Sequence, residues 1–162
     1  MMNDAPNGAF INGVHMGVEE DIYELWKAYD LWIINLTGDA HPMHMHLVNF
    51  QFYKKRRFNK DQYTKDWANL NGGNPPYNTA VKALPLTDYF EDNPEEILTD
   101  PVQRVWRDIV LVDAGEASVL RIRFKYNTGF PFIQGVKEGR YVIHCHILEH
   151  EDNEMMRYFR VK

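Results

Sequence analysis

Six of the seven histidines in this 162-residue chain fall, together with its one cysteine, into two short windows. The first is His41-Pro42-Met43-His44-Met45-His46. The second is His144-Cys145-His146, followed by His150 and Met155. Imidazole, thiolate and thioether are all metal donors, and their spacing says which can act together. Along a strand successive side chains point to opposite faces, so residues two apart share a face. His44 and His46 then point one way, as do His144 and His146, while Cys145 points the other. His41 lies three residues before His44, across a proline, and can address the opposite side. Two adjacent donor sets follow. One is His41, Cys145, His150 and Met155; the other is His44, His46, His144 and His146.

Two imidazoles, a thiolate and a weak thioether are the donors of a blue-copper electron-transfer site. Zinc is more often held by several cysteines, or by histidines with a carboxylate. Thiolate and thioether favour Cu(I), and imidazoles also suit Cu(II), so one such site serves both oxidation states. The second set is four imidazoles with no anionic donor, which suits copper and dioxygen-derived ligands. The peptide links from Cys145 to His144 and His146 join the two sets through bonds. Each feature alone has a bland reading: a histidine pair at i, i+2 is usually a solvated strand feature, and a lone buried cysteine a small hydrophobe. Their joint match to one coordination chemistry is what points to metal. His15 lies outside both windows and reads as a surface or edge residue. Met43, Met45 and Met156 read as packing, and Trp26, Trp32, Trp67 and Trp106 as core or loop anchors.

The elements that must position these donors read mostly as β. Compact β-branched and aromatic runs at 30–36, 46–52, 109–112, 118–126, 141–145 and 154–161 predict strands. Asp113-Ala114-Gly115-Glu116 predicts a turn between two of them. Short strands separated by turn signals predict a sandwich or barrel. Ile22, Leu25, Trp26 and Tyr29 are spaced like one helical face, and equally like an irregular edge. Residues 59–102 carry Gly72-Gly73, Pro75-Pro76, Pro85, Pro94 and Pro101, which predicts a long irregular excursion with at most a helical turn near 63–70. An excursion of that length is often functional, as a lid or a partner contact.

Composition sets the outer limits. The length fits one domain over residues 1–162, with 59–102 as an insertion, and is enough for a hydrophobic core. An apolar fraction of 44% with 14% aromatic residues excludes a disordered chain. One cysteine excludes an internal disulfide framework. A net charge of −5 argues against a nucleic-acid partner. No run approaches the ~20 apolar residues of a membrane span, and the first residues carry no secretory signal, so the expectation is a chain that is cytoplasmic as made. The Asn35-Leu36-Thr37 sequon would matter only in a secreted protein.

His41-Pro-Met-His-Met-His46 resembles the H-P-x-H-x-H motif of multicopper oxidases, and His144-Cys-His-x-x-x-His150-x-x-x-x-Met155 their H-C-H-x-x-x-H-x-x-x-x-M motif. The chain is most similar to the C-terminal domains of the bacterial spore-coat laccase branch and its plant ferroxidase-like relatives. It shares with them the runs Ile34-Asn-Leu-Thr37, His46-Leu-Val48 and His144-Cys-His-Ile-Leu-Glu-His-Glu-Asp152. The resemblance spans about residues 10–161 outside the excursion. It implies an all-β, cupredoxin-like Greek-key β-sandwich. It also implies type 1 copper on His41, Cys145, His150 and axial Met155, type 2 copper on His44, and type 3 copper on His46, His144 and His146. Glu151 corresponds to an acid that helps deliver protons during oxygen reduction; its bland reading is a solvated acid among Glu149, Asp152 and Glu154.

The same resemblance implies a deficit. The family's oxygen-reducing cluster takes eight histidines, four from an N-terminal domain, and His15 cannot replace the missing pairs. The expected function is that of a laccase-like oxidoreductase domain that takes single electrons from a phenol, a pigment or a metal ion. The missing histidines and O2 chemistry would then require an N-terminal cupredoxin domain or a second chain. The alternative is a stand-alone blue-copper module without turnover. A third possibility is a homo-oligomer bridged by metal through the four-histidine faces. That third case predicts that metal moves the mass from monomer to dimer and that the paired changes His44→Ala and His146→Ala abolish the shift. A mass independent of metal in a sedimentation experiment refutes it.

Overall fold

A computed structural model describes residues 2–5, 8–18, 20–91, 97–98, 100–125 and 138–162, with residues 2–5, 8–9, 97–98 and 103 described by their backbone alone. The strands in chain order are β1 (Met2–Ala5), β2 (Gly8–Ile11), β3 (Asp21–Tyr23), β4 (Ala28–Ile34), β5 (His41–Met45) and β6 (Phe50–Arg57), then β7 (Ile97–Leu98), β8 (Trp106–Arg107), β9 (Ile109–Val112), β10 (Glu116–Arg123), β11 (Gly139–Cys145) and β12 (Met156–Val161). Helix α1 (Lys60–Asn71) follows β6, and the short α2 (Leu148–Asp152) lies between β11 and β12. Single 3-10 turns occupy Leu86–Tyr89 and Pro101–Arg104.

Two sheets carry the fold. One runs β4-β10-β6-β7, with β8 also on β6; the other runs β3-β12-β11-β5-β9; β1 and β2 pair with each other. Ile33, Phe50, Phe52, Leu120 and Ile122 of the first sheet meet Met43, Met45, Val110, Val112, Ile143, Cys145, Phe159 and Val161 of the second in one buried cluster. That is an all-β sandwich, as the strand runs and turn signals predict. One end of this core is aromatic: Tyr23 stacks on Phe124 at 4.8 Å between ring centroids and meets Phe159 edge-on at 5.7 Å.

The excursion gives the first sheet a second buried face. Ile33 belongs to the inter-sheet core, but its neighbour Ile34 packs outward with Phe58, Tyr63, Trp67 and Ala117. Tyr63 and Trp67, one turn apart on α1, stack at 5.7 Å. The run at 30–36 is therefore continuously apolar, because it is covered on both sides. Asn59 caps the helix, its side chain accepting from the Gln62 N–H, and Gly72 ends it in the left-handed conformation at φ 83°. The expected single turn near 63–70 is thus a helix of 12 residues. The density of Gly and Pro beyond residue 72 hid the Asn59 and Gly72 signals that bracket it.

Four other local expectations change. The segment 22–29 is an edge and not a helix: it splits into β3 and β4 around Trp26, at φ 70°. There Trp26 donates its N–H to the Phe124 carbonyl and Leu25 donates to Lys162. The strand expected over 46–52 starts only at Phe50, since Leu47 takes a positive φ of 76° and breaks the extension from β5. Trp67 is a core anchor, whereas Trp26 and Trp106 are exposed. The strand expected over 118–126 is β10, shifted to begin at Glu116 after Gly115, which turns at φ 69°; Tyr126 lies outside the described residues. No described helix is long and apolar enough to cross a membrane.

Packing of the excursion as core generates a prediction. Trp67→Ala should lower unfolding free energy by about 3–5 kcal/mol, measured by denaturant titration. A loss under ~0.5 kcal/mol, the size of an ordinary surface change, would show that α1 contributes no core.

Candidate metal centre

The pairing of β5 with β11 sorts the donors. Antiparallel register sets His144 opposite His44 and Cys145 opposite Met43. It continues past the strand ends, where His46 donates its N–H to Val142 and His146 donates to Pro42. On β5, His41, Met43 and Met45 are buried and Pro42 and His44 face outward. The odd offset from His41 to His44 places them on opposite faces, and the even offset from His44 to His46 keeps both outside. Cys145 points inward into the inter-sheet core.

On the inner face three donors converge. Cys145 Sγ lies 3.6 Å from His41 Nδ1 and 3.6 Å from His150 Nδ1, and the two imidazole nitrogens are 3.2 Å apart. His41 and Cys145 are fully buried, while His150 is partly open to solvent. His150 arrives on α2, which starts three residues after Cys145. Met155, also fully buried, completes the loop: its N–H donates to the His150 carbonyl, and its own carbonyl accepts from Cys145. The donor atoms of His41, Cys145 and His150 are thus brought together, and Met155 is tied to the same loop through its backbone.

The outer face carries imidazoles. The donor atoms of His44, His46 and His144 lie within 4.8 Å of one another. His46 Nε2 is 3.3 Å from His144 Nε2. His44 Nδ1 donates to the Asp108 carbonyl at 2.9 Å, which leaves its Nε2 lone pair free. His146 stands outside this close triplet; its ring stacks beside His144 at 5.7 Å and is 5.9 Å from His44. His144 Nδ1 lies 3.0 Å from the Cys145 carbonyl and 3.2 Å from Glu151 Oε2, a carboxylate–imidazole contact of the kind that orients metal-ligating histidines. His15 belongs to neither set: its Nδ1 meets Glu154 Oε2 at 2.6 Å, and its ring packs edge-on against Phe10. Composition offered no signal for that pairing, which joins residues 139 apart in the chain.

The electrostatics suit cation binding. Burial, then neighbouring His44 and His144, hold His46 below the ordinary imidazole value and so in the neutral, ligating form. Burial pushes the Cys145 thiol above its ordinary value, and the Glu151 charge adds to this, while a backbone N–H from Ile147 opposes it. A cation at the site would reverse that balance, since a coordinated thiol is deprotonated outright. Two lone-pair nitrogens 3.2 Å apart with a sulfur 3.6 Å from each repel unless a proton or a cation lies among them. Two imidazoles and a thiol in mutual contact, with the buried Met155 tied to the same loop through its backbone, fit copper better than zinc.

Comparison with known proteins agrees with this chemistry. The multicopper oxidase family model matches residues 24–162. A rice protein described as Multicopper oxidase LPR1 homolog 5 (Oryza sativa subsp. japonica) is 32% identical over 160 residues, covering 94% of this chain and 23% of its own length. The Bacillus subtilis laccase is 35% identical over 134 residues, covering 83% of this chain and 19% of its own length. Among solved structures, the McoA multicopper oxidase of Aquifex aeolicus superposes with a TM-score of 0.61 at 19% identity, over 99% of this chain and 28% of that one. The chain thus spans about a quarter or less of these relatives, and the fold of the structural neighbour is the cupredoxin-like sandwich expected from the motifs. This chain belongs to the multicopper oxidase family, a family of copper-dependent oxidoreductases.

Proposed function

We propose that the chain forms the copper-binding oxidoreductase portion of a laccase-like enzyme. His41, Cys145, His150 and Met155 would hold a type 1 copper, and His44, His46, His144 and His146 would form half of a type 2/type 3 cluster. When bound, copper supplies one-electron redox chemistry at the inner site and oxygen reduction at the outer one. The observation that carries this reading is the convergence of Cys145 Sγ with the Nδ1 atoms of His41 and His150 inside the core, back to back with the imidazole triplet.

The chain's own residues have separable tasks. His41, Cys145 and Met155 are sealed from water by the inter-sheet core. His150, partly exposed, is the ligand that a reductant can approach, whether phenol, pigment or metal ion. Cys145 is peptide-bonded to His144 and His146, a short covalent path between the faces. Glu151 Oε2 is 3.2 Å from His144 Nδ1, and its side chain is 29% exposed. It can therefore take a proton from solvent and hold it beside the outer cluster.

The outer face supports a missing partner. His44 faces Ile109 and Pro42 faces Leu111 in the β5–β9 register, and Ile109 and Leu111 are exposed, as is Leu148 beside the ligand loop. Exposed apolar side chains beside the half-buried His44 form a surface suited to being covered. An N-terminal cupredoxin domain, or a second chain, bringing four histidines would cover it and complete the cluster.

Two tests follow. Copper(II) added to the chain should give an intense visible thiolate-to-copper band at one copper per chain. Cys145→Ser should abolish the band, and His46→Ala should leave it. A colourless wild-type product contradicts the inner assignment. Oxygen consumption with a phenol should be absent from the copper-loaded chain alone and appear when an N-terminal portion is supplied. Turnover by the chain alone contradicts the half-site, and no turnover with the added portion favours the stand-alone electron-transfer module.

A further inference from the structure

Thr37 sits at the centre of a buried hydrogen-bond network that ends on His41. Its Oγ1 lies 2.7 Å from His41 Nε2, 2.8 Å from Asn35 Oδ1, 3.1 Å from the Asp39 carbonyl and 3.2 Å from the Asp39 N–H. Asn35, Thr37 and His41 are all essentially buried, at 0%, 3% and 0% exposure. The orientation of the Asn35 amide is settled by its surroundings. Its Nδ2 donates to two carbonyls, Asp39 at 2.7 Å and Val112 at 3.0 Å, while its Oδ1 accepts from the Thr37 N–H at 2.9 Å. Oδ1 is therefore the atom facing the Thr37 hydroxyl.

A hydroxyl has one hydrogen to give. Two oxygens 2.8 Å apart with no hydrogen between them repel, so the Thr37 hydrogen is committed to Asn35 Oδ1, with the Asp39 carbonyl as its other oxygen neighbour. The 2.7 Å contact to His41 must then be made by a hydrogen on Nε2. A neutral imidazole protonated at Nε2 carries its lone pair on Nδ1. That is the atom facing Cys145 Sγ and His150 Nδ1.

We propose that Thr37 is the positioning residue of the inner site: as acceptor for His41 Nε2–H it fixes the ring's tautomer and rotation, so that Nδ1 presents its lone pair to the donor triangle before any metal arrives. The inference rests on the reading of His41 as a copper ligand. Histidine ligands are generally held in this way by a partner on the far nitrogen. Here the partner is itself clamped. Lys60 Nζ, at the start of α1, donates to the Thr37 carbonyl at 2.8 Å, and the Gly115 N–H donates to the Asn35 carbonyl at 3.0 Å. The excursion thereby reaches the inner site through Lys60.

The test begins on the metal-free 162-residue chain, with 15N-histidine NMR reporting the tautomer of His41. The wild type should show a single Nε2–H form, Thr37→Val a mixture or the Nδ1–H form, and Thr37→Ser the wild-type form. Copper affinity by chelator competition should fall roughly 10–100-fold in Thr37→Val and recover in Thr37→Ser. An Nδ1–H tautomer in the wild type overturns the proposal without reference to any variant. A folded Thr37→Val that keeps both the pure Nε2–H form and wild-type affinity overturns it equally. Absence of any copper band in the wild type instead overturns the ligand reading, and the metal-free tautomer still decides the role of Thr37.

Discussion

Three cross-strand pairs, Ile143 on Met45, His144 on His44 and Cys145 on Met43, hold both donor sets in place. Since side chains alternate along each strand, this one register sends the thiol into the core and the imidazole pairs outside it. A slip by one residue would exchange the two faces and bury the wrong donors. The register is specified strongly because one face is apolar: Met43, Met45 and Ile143 are buried beside Cys145 in the sandwich core. Packing energy therefore enforces the placement of the candidate donors.

Around that pairing, support is graded by distance from solvent. His41 is locked by a buried polar network, and its three layers of partners run from Thr37 to Asn35 and on to the Val112 carbonyl of β9. His150 rides on a one-and-a-half-turn helix and is partly exposed. On the proposed reading, the rigid His41 would suit a site that does not reorganise between oxidation states, and the partly exposed His150 would suit contact with a reductant. Among the outer histidines, His44 is held by one backbone carbonyl, and the buried His144 lies against a backbone carbonyl and a carboxylate.

The placement of the candidate donors was legible in the sequence because it depends on residue type and on parity of spacing, both of which are local. His41 against His44, and Cys145 between two histidines, need only strand alternation to be placed. Most strands were legible too, from β-branched and aromatic runs. What escaped was set by long-range contact. The 22–29 segment mimics a helical face because Tyr23 and Tyr29 both pack on Phe124, about a hundred residues away. Helix α1 hid among Gly and Pro, and its purpose, covering the outer face of a sheet, shows only once Ile34 and Trp67 are seen together. The network from Asn35 to His41 was present in the sequence as four nearby residues, yet nothing local says that Val112 and Lys60 would anchor it.

The central claim is that the β5–β11 register delivers a thiol-containing donor set to the inter-sheet core and an all-imidazole set to the opposite face of the sheet. Copper-edge X-ray absorption on the chain loaded with one equivalent of copper addresses it most directly. The account predicts one short sulfur scatterer with two nitrogen scatterers, and loss of the sulfur in a Cys145→Ser variant. A first shell made of nitrogen and oxygen alone would mean that copper prefers the outer face, and would contradict the assignment of the inner donors.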